Sequence, residues 1–360
     1  MDIERRLAPW VSKMVPGARN VRIDGLDRVE MGHSAETQLL TLSWEDGAGD
    51  HREEVALRIR PPAPGLLEPY DLQHQVDILR ALESTPVRAP RAYWIEPSGH
   101  VLGREFYVME RLPGTVYERG VPEELATDPV RIRRMCESMI EQLAAIHSVD
   151  TGATQLEGIS DGRRYVHGEI DHWTSEIQRV QRGPLPALER LAAALREQQP
   201  EQSPWVTLVH GDAKPGNFAF EGSEVSAVFD WEMATIGDPL ADVGYAEMLW
   251  VMPGYFTSRP AALTVDEFVI HWEKLTGIQT SSRPWYRALA GFKTAAILLV
   301  GGFLFDNRHS DDLRFGQMTN AIHPLTRQAL HELGIDEELE PGPVLPRPER
   351  VREVEMAQNR

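Results

Sequence analysis

Residues 208–220 read LVHGDAKPGNFAF, and residues 230–245 read DWEMATIGDPLADVGY. The first stretch packs His210, Gly211, Asp212, Lys214 and Asn217 into eight positions, and Asp230 opens the second. Between them lies FAFEGSEVSAVF. Phe218 to Phe220 reads as a strand, Glu221–Gly222–Ser223 as a turn and Val225 to Phe229 as the return strand. Neighbouring strands run about 4.8 Å apart, so Asn217 and Asp230 are expected to meet at the open end of this hairpin. An amide oxygen beside a carboxylate is an oxygen-only donor set, which suits Mg²⁺. Asp212, on the loop entering the hairpin, is expected to face the same space and to accept a proton from a hydroxyl.

A base, two metal ligands and ATP make the pattern of a kinase. A lone Asp–x–x–x–x–Asn is usually a capped turn. Here the matched positions, a hairpin of the right length and the Asp–Trp–Glu after it favour a phosphotransfer site, to be confirmed by its structural context. His210 and His147 read as structural histidines, the first bonding backbone to hold the loop. Asp238–Pro239 reads as a helix start, with Asp at the N-cap and Pro at the first helical position.

The 360 residues, 42% of them hydrophobic, suffice for a sizeable core in two lobes. A single cysteine, Cys136, forms no internal disulfide, which fits a reducing cytoplasm. The longest apolar run, Ala295–Phe305, falls short of the roughly 20 residues that cross a bilayer and reads as a buried helix, so no membrane partner is expected. The net charge of −18 argues against nucleic acid held through phosphate contacts. Residues 1–112 carry 18 acids against 14 bases and the remainder 37 against 23, so the second part holds most of the negative field.

The first hundred residues read as strands with one helix. A hairpin flanks MGHSAE, a strand EEVALRIRPP stops at two prolines, and Leu72, Val76, Leu79 and Leu82 recur at helical spacing. REFYVMERLPG is a further strand running into Pro113–Gly114, a hinge signal. Beyond it the pattern is mostly helical, with Ile132, Met135, Met139, Leu143 and Ile146 on one face of a long helix. The expected organisation is therefore an α+β protein of two lobes. A small β-rich lobe spans residues 1–112, a larger helical lobe spans 113–340, and a Pro-rich charged tail, extended or loosely ordered, spans 341–360.

HGDAKPGN followed by FDWE resembles the aminoglycoside phosphotransferase family, of protein-kinase-like fold, and GDPLADVGY is another stretch similar to that family. The likeness covers roughly Val21 to Leu333 and is closest to the branch associated with acyl-CoA dehydrogenases. It implies ATP and Mg²⁺ as cofactors, Asp212 as catalytic base, Asn217 and Asp230 as metal ligands, and a small-molecule hydroxyl as acceptor. It also implies that Lys214 lies near the transferred phosphate, that Asp242 braces the catalytic loop, and that the backbone of Glu110 to Leu112 faces adenine.

The N-terminal part departs from the family pattern. A kinase holds ATP phosphates with a lysine on its third strand, but no lysine lies between Lys13 and Lys214. By the resemblance Arg58 takes that place, and the loop near Ser34 and Ala35 contacts phosphate through its amides. The helix glutamate that would pair with the cation is Gln75 here, with Asp71 and Asp77 as alternative partners. No Gly-x-x-x-x-Gly-Lys-Ser/Thr occurs, which excludes a P-loop. The acceptor stays open among aminoglycoside-like alcohols, hydroxyacyl-CoAs, macrolides, sugars and choline-like alcohols. A nucleotide-binding pseudokinase with a regulatory role is the reading of another class.

Overall fold

The structure, a computed structural model, describes residues 3–29, 36–118, 120–154, 156, 162, 164–201, 204–343 and 348–358. Ser34 and Ala35 lie outside the described residues. Helix α1 (Ile3–Met14) precedes strands β1 (Arg19–Val29), β2 (Glu36–Asp46) and β3 (Gly49–Ile59); α2 (Leu72–Leu82), β4 (Ala92–Glu96) and β5 (Phe106–Glu110) follow. The five strands form one antiparallel sheet in the order β1-β2-β3-β5-β4.

Alternation along β3 decides what each face of this sheet can do. Val55, Leu57 and Ile59 enter the apolar layer beneath α1, with Leu7, Trp10 and Phe106. Trp10 meets Phe106 edge-on at 4.9 Å. Ala56 points the other way and packs with Leu72, Val76 and Leu79 of α2. Arg58 shares the parity of Ala56, so the pleat sends it to the α2 face, toward the rest of the molecule.

The remainder is mostly helical. It begins with β6 (Thr115–Val116), α3 (Glu123–Ala126), α4 (Pro129–His147), α5 (Tyr165–Val180) and α6 (Pro186–Glu197). Short strands β7 (Thr207–Val209), β8 (Phe218–Glu221), β9 (Glu224–Val228) and β10 (Thr235–Gly237) interrupt the helices. Then come α7 (Pro239–Trp250), α8 (Val265–Thr276), α9 (Arg283–Asp306), α10 (Leu313–Met318), α11 (Ile322–Glu332) and α12 (Pro348–Gln358). Strands β6, β8 and β9 make one small sheet; β7 and β10 pair antiparallel. This is the two-lobed α+β architecture, a sheet-rich N-terminal part and a helical C-terminal part.

Helix α4 shows why the local sequence folds as it does. Asp128 caps it by accepting the amides of Val130 and Arg131, Pro129 occupies its first turn, and the apolar stripe Ile132, Met135, Met139, Leu143 and Ile146 is buried. The apolar run Ala295–Phe305 is only the second half of α9. The whole 24-residue helix is long and apolar enough to cross a membrane, but most of it is buried among α5, α7, α10 and α11. The tail differs from the extended arm its composition suggests. Pro348 opens α12, which packs on α10; Arg350 donates to the Phe305 carbonyl at 3.0 Å and lies over the Phe305 ring. Arg350 and Val354, one turn apart and both buried, give this segment a face to dock with.

One buried acid ties the helical part together. The Glu247 carboxylate on α7 has no exposed side-chain surface and accepts from Arg283 Nε at 2.6 Å and Arg287 Nη1 at 2.9 Å, both on α9. Arg287 reaches on to Glu332 of α11, and Arg283 to Asp266 of α8. Removing one partner of a buried pair leaves the other uncompensated. Glu247→Ala is therefore expected to lower the unfolding free energy by about 3 kcal/mol or more, with Glu247→Gln costing less because the packing and one acceptor remain. Denaturant titration measures this; a loss well under 1 kcal/mol for the alanine variant would mean that both arginines find water instead.

Candidate active site

The loop after β7 is held by acceptors and donors on both sides. On α7, Asp238 caps the helix by accepting the Leu240 amide and also accepts the Tyr286 hydroxyl. One turn later Asp242 accepts the His210 amide at 2.6 Å and the Gly211 amide at 2.9 Å. Trp272 Nε1 donates to His147 Nδ1 at 3.0 Å, so the proton of His147 sits on Nε2, which donates to Asp242 at 3.1 Å. Burial alone would raise the Asp242 carboxyl, but the His147 hydrogen bond, the neighbouring His147 and His210 rings and the His210 amide bring it below the usual carboxylate range. Lys293 of α9 donates to the Gly211 carbonyl at 2.6 Å. Gly211 has φ of +79°, and a Cβ there would stand 2.4 Å from the Met233 carbonyl oxygen, so only glycine fits. His210 accepts the Asp212 amide on Nδ1 and donates from Nε2 to the Phe229 carbonyl at 2.8 Å.

That clamp presents Asp212 from the end of the loop. Its Oδ1 accepts the Tyr245 hydroxyl at 2.8 Å; its Oδ2 accepts Asn217 Nδ2 at 2.9 Å and lies 3.0 Å from Lys214 Nζ. Burial would push the Asp212 carboxyl up, but the Lys214 charge and the Tyr245 hydrogen bond hold it below the usual carboxylate range. Lys214 is raised in turn: burial opposes its charge, and Asp212 and Asp230 outweigh the burial.

The β8–β9 hairpin forms where the sequence places it. The Phe229 amide donates to the Asn217 carbonyl at 2.9 Å, which closes the open end next to Asp230. Asn217 also donates to the Asp212 carbonyl at 2.8 Å. Both bonds from the side chain use Nδ2, and Oδ1 has no donor among the described residues. Asp230 adopts a left-handed backbone, φ 67° and ψ 54°, which a short polar side chain tolerates and which turns the chain sharply into the Trp231–Met233 turn.

Arg58 crosses from β3 to this turn. Its Nη2 donates to Asp230 Oδ1 at 2.5 Å and Glu232 Oε2 at 3.0 Å, and Nη1 reaches Thr37 Oγ1 at 3.4 Å. Burial disfavours its charge, but Asp230 and Glu232 more than restore it. None of the three partners considered from sequence reaches it. Gln75 is buried and accepts the Tyr107 hydroxyl at 3.2 Å; burial pushes Tyr107 up to about 12, so it stays a donor. Asp71 caps α2 through the His74 amide, and Asp77 accepts from Gln73. Arg60, two residues on, is occupied by Glu105 at 3.2 Å and Glu68 at 3.6 Å.

The structure thus brings Asp212 into contact with Lys214 and Asn217, and Asp230, at the open end of the same hairpin, into contact with Arg58 of β3. Glu110 lies at the end of β5, where its amide donates to the Arg91 carbonyl, and the Leu112 amide has no partner among the described residues. Three contacts were not read from sequence. Tyr245 lies one turn after Asp242, so the spacing was a usable signal. Glu232 sat inside the quoted Asp–Trp–Glu. Lys293 is one of only four lysines and interrupts an apolar helix, a position that a buried charge must justify.

Residues 38–277 match the family model described as the phosphotransferase enzyme family. Among curated proteins, the chain is 31% identical over 258 residues to mouse acyl-CoA dehydrogenase family member 10, covering 68% of this chain and 24% of that protein. It is 28% identical over 295 residues to human acyl-CoA dehydrogenase family member 11, covering 77% of this chain and 37% of that protein. The chain therefore spans well under half the length of these relatives. Among solved structures, a candidate aminoglycoside phosphotransferase from Ralstonia eutropha superposes with a TM-score of 0.74 at 22% identity, covering 92% of this chain and 98% of that one. A thermostable mutant of aminoglycoside phosphotransferase APH(4)-Ia, in ternary complex with ADP and hygromycin B, superposes at 0.57 with 15% identity, covering 91% and 98%. These two show the fold. The chain belongs to the phosphotransferase enzyme family, in the branch whose relatives are acyl-CoA dehydrogenase family members 10 and 11.

Proposed function

We infer that this protein transfers the γ-phosphate of ATP to a hydroxyl group of a small molecule. One observation carries the reading. An ionised Asp212, fixed through both carboxylate oxygens, is in contact with Lys214 and with Asn217, whose amide oxygen has no donor among the described residues, and the hairpin that begins at Asn217 ends at Asp230, the partner of Arg58. The complexes of the structural relative with ADP and hygromycin B support nucleotide use and a small-molecule acceptor by analogy.

The residues fit a magnesium nucleotide. Asn217 Oδ1 and Asp230 are hard oxygen donors, too few to enclose an ion alone, and Mg²⁺ is commonly held by one or two carboxylates together with nucleotide phosphates and water. Arg58 Nε is buried with no partner, a donor still seeking an acceptor of the kind a phosphate oxygen provides. Bound Mg²⁺ supplies charge neutralisation at the phosphate oxygens. The chain's own groups do the rest. Arg58 would hold phosphate from the sheet side, and Lys214 would stabilise charge on the transferred phosphate. Asp212 orients the acceptor hydroxyl and accepts its proton; its low basicity makes positioning the larger part of its role. The unpartnered Leu112 amide is available to the adenine edge. A cytoplasmic setting and an acceptor drawn from alcohols of the classes named above complete the proposal.

Two expectations follow. Asp212→Asn should leave binding of ATP nearly unchanged and cut phosphoryl transfer by on the order of 10²–10⁴-fold, measured as ATP consumption across a panel of aminoglycosides, hydroxyacyl-CoAs and sugars. Transfer near the wild-type rate would remove Asp212 as the base, and no transfer by wild type to any acceptor would favour a pseudokinase. Arg58→Ala should weaken ATP by roughly 10- to 100-fold while barely changing adenosine, the worth of a lost charge-assisted hydrogen bond. Arg60→Ala should change neither, because Glu105 and Glu68 already occupy it. Calorimetry with both ligands checks this, and an ATP-selective loss in Arg60→Ala alone would reverse the assignment.

A further inference from the structure

Arg58 is 11% exposed and needs a counter-ion near it, and helix α2 supplies none. Instead two carboxylates from the turn after β9 share a single guanidinium nitrogen, Asp230 at 2.5 Å and Glu232 at 3.0 Å. They are not equivalent. Glu232 is the more buried, 7% exposed against 18% for Asp230. The turn carrying Glu232 is also anchored on several sides. Trp231 is buried, donates to the Val228 carbonyl at 2.9 Å and packs on the His210 ring at 4.8 Å. Two residues past Glu232, the Ala234 carbonyl accepts from His74 Nε2 of α2 at 2.7 Å. Glu232 therefore holds Arg58 from a fixed platform, whereas Asp230 is the more exposed of the two and lies at the hairpin end beside Asn217, with which it fits a metal.

We propose that Glu232 is the standing counter-ion of Arg58, a positioning residue that keeps the guanidinium in place while Asp230 turns its carboxylate to a divalent cation. This rests on the nucleotide reading above. A guanidinium and a divalent cation compete for the same carboxylate at these distances. With Glu232 present, Arg58 keeps a full partner when Asp230 leaves it. With Glu232 neutral, Asp230 becomes the sole partner of a buried guanidinium, and a metal has to pull it away. The function given to a helix glutamate in kinases is thereby moved to the same turn that carries the metal-binding carboxylate. Gln75 is then free to bond Tyr107 rather than Arg58.

The test titrates Mg²⁺ into the protein saturated with a non-hydrolysable ATP analogue, following heat or nucleotide fluorescence. Glu232→Gln should raise the half-saturating Mg²⁺ concentration by about tenfold, the lower end of what a charged hydrogen bond is worth, while adenosine affinity stays put. Glu232→Asp, which keeps the charge but shortens its reach, should shift the midpoint in the same direction by less; it carries the test if the glutamine variant does not fold. In an Arg58→Ala background, adding Glu232→Gln should move the Mg²⁺ midpoint no further. An unchanged midpoint in both Glu232 variants overturns the proposal, as does an equal shift with and without Arg58. Wild-type protein that binds no nucleotide with Mg²⁺ overturns the nucleotide reading itself, and this proposal with it; wild type that binds normally beside insensitive Glu232 variants overturns this proposal alone.

Discussion

The site depends on the grip of Asp242 on two consecutive amides, His210 and Gly211. A carboxylate buried beneath a loop would be a liability without partners. Here the loop amides and the Trp272–His147 chain surround it, so its charge is satisfied in all directions. The amides in turn fix the loop backbone in a conformation that only glycine allows at position 211. Lys293 completes the clamp from the opposite side by bonding the Gly211 carbonyl. Asp212 inherits this rigidity: its carboxylate is aimed by backbone that cannot move without breaking buried hydrogen bonds.

A second constraint joins the two parts. Arg58 belongs to the sheet, and both of its carboxylate partners belong to the turn that follows the β8–β9 hairpin, more than 170 positions later. The bridge is costly to break, because removing either side would leave a buried ion without its partner. It also ties the sheet-rich part to the turn that carries Asp230 and Glu232.

The surroundings of Asp212 on the α7 and α9 side have a different character. Tyr245 bonds Asp212 and, with Met248, Leu249 and Ala290, forms a small apolar cluster separate from the main core. Lys293 lies over the rings of Trp173 and Tyr245 at 5.9 and 5.7 Å, where the aromatic faces stabilise its charge. The general acidity of the C-terminal part therefore says little about the immediate surroundings of Asp212, where lysine, tyrosine and aliphatic side chains dominate. Net charge is a property of the whole surface, and a site is built from the few groups that are desolvated together.

By itself the sequence determined the elements whose signals are local. The hairpin from Phe218 to Val228, the capped start of α7, the buried stripe of α4 and the strand carrying Arg58 were all legible, because caps, turns and period-2 or period-3.6 patterns involve neighbours in the chain. So were Asp212, Asn217 and Asp230, since one hairpin brings them together. The helix in the tail, whose composition suggests an extended or loosely ordered arm, was not legible because the residues that receive α12, including Phe305, lie elsewhere in the chain. Tertiary structure alone decided the partner of Arg58. Local reasoning looked to α2, the nearest helix, but Gln75 turned to Tyr107, Asp71 to its own helix cap and Asp77 to Gln73. The carboxylates came instead from a turn far along the chain, because a buried guanidinium takes the acids that packing places within reach, and packing is a property of the folded whole.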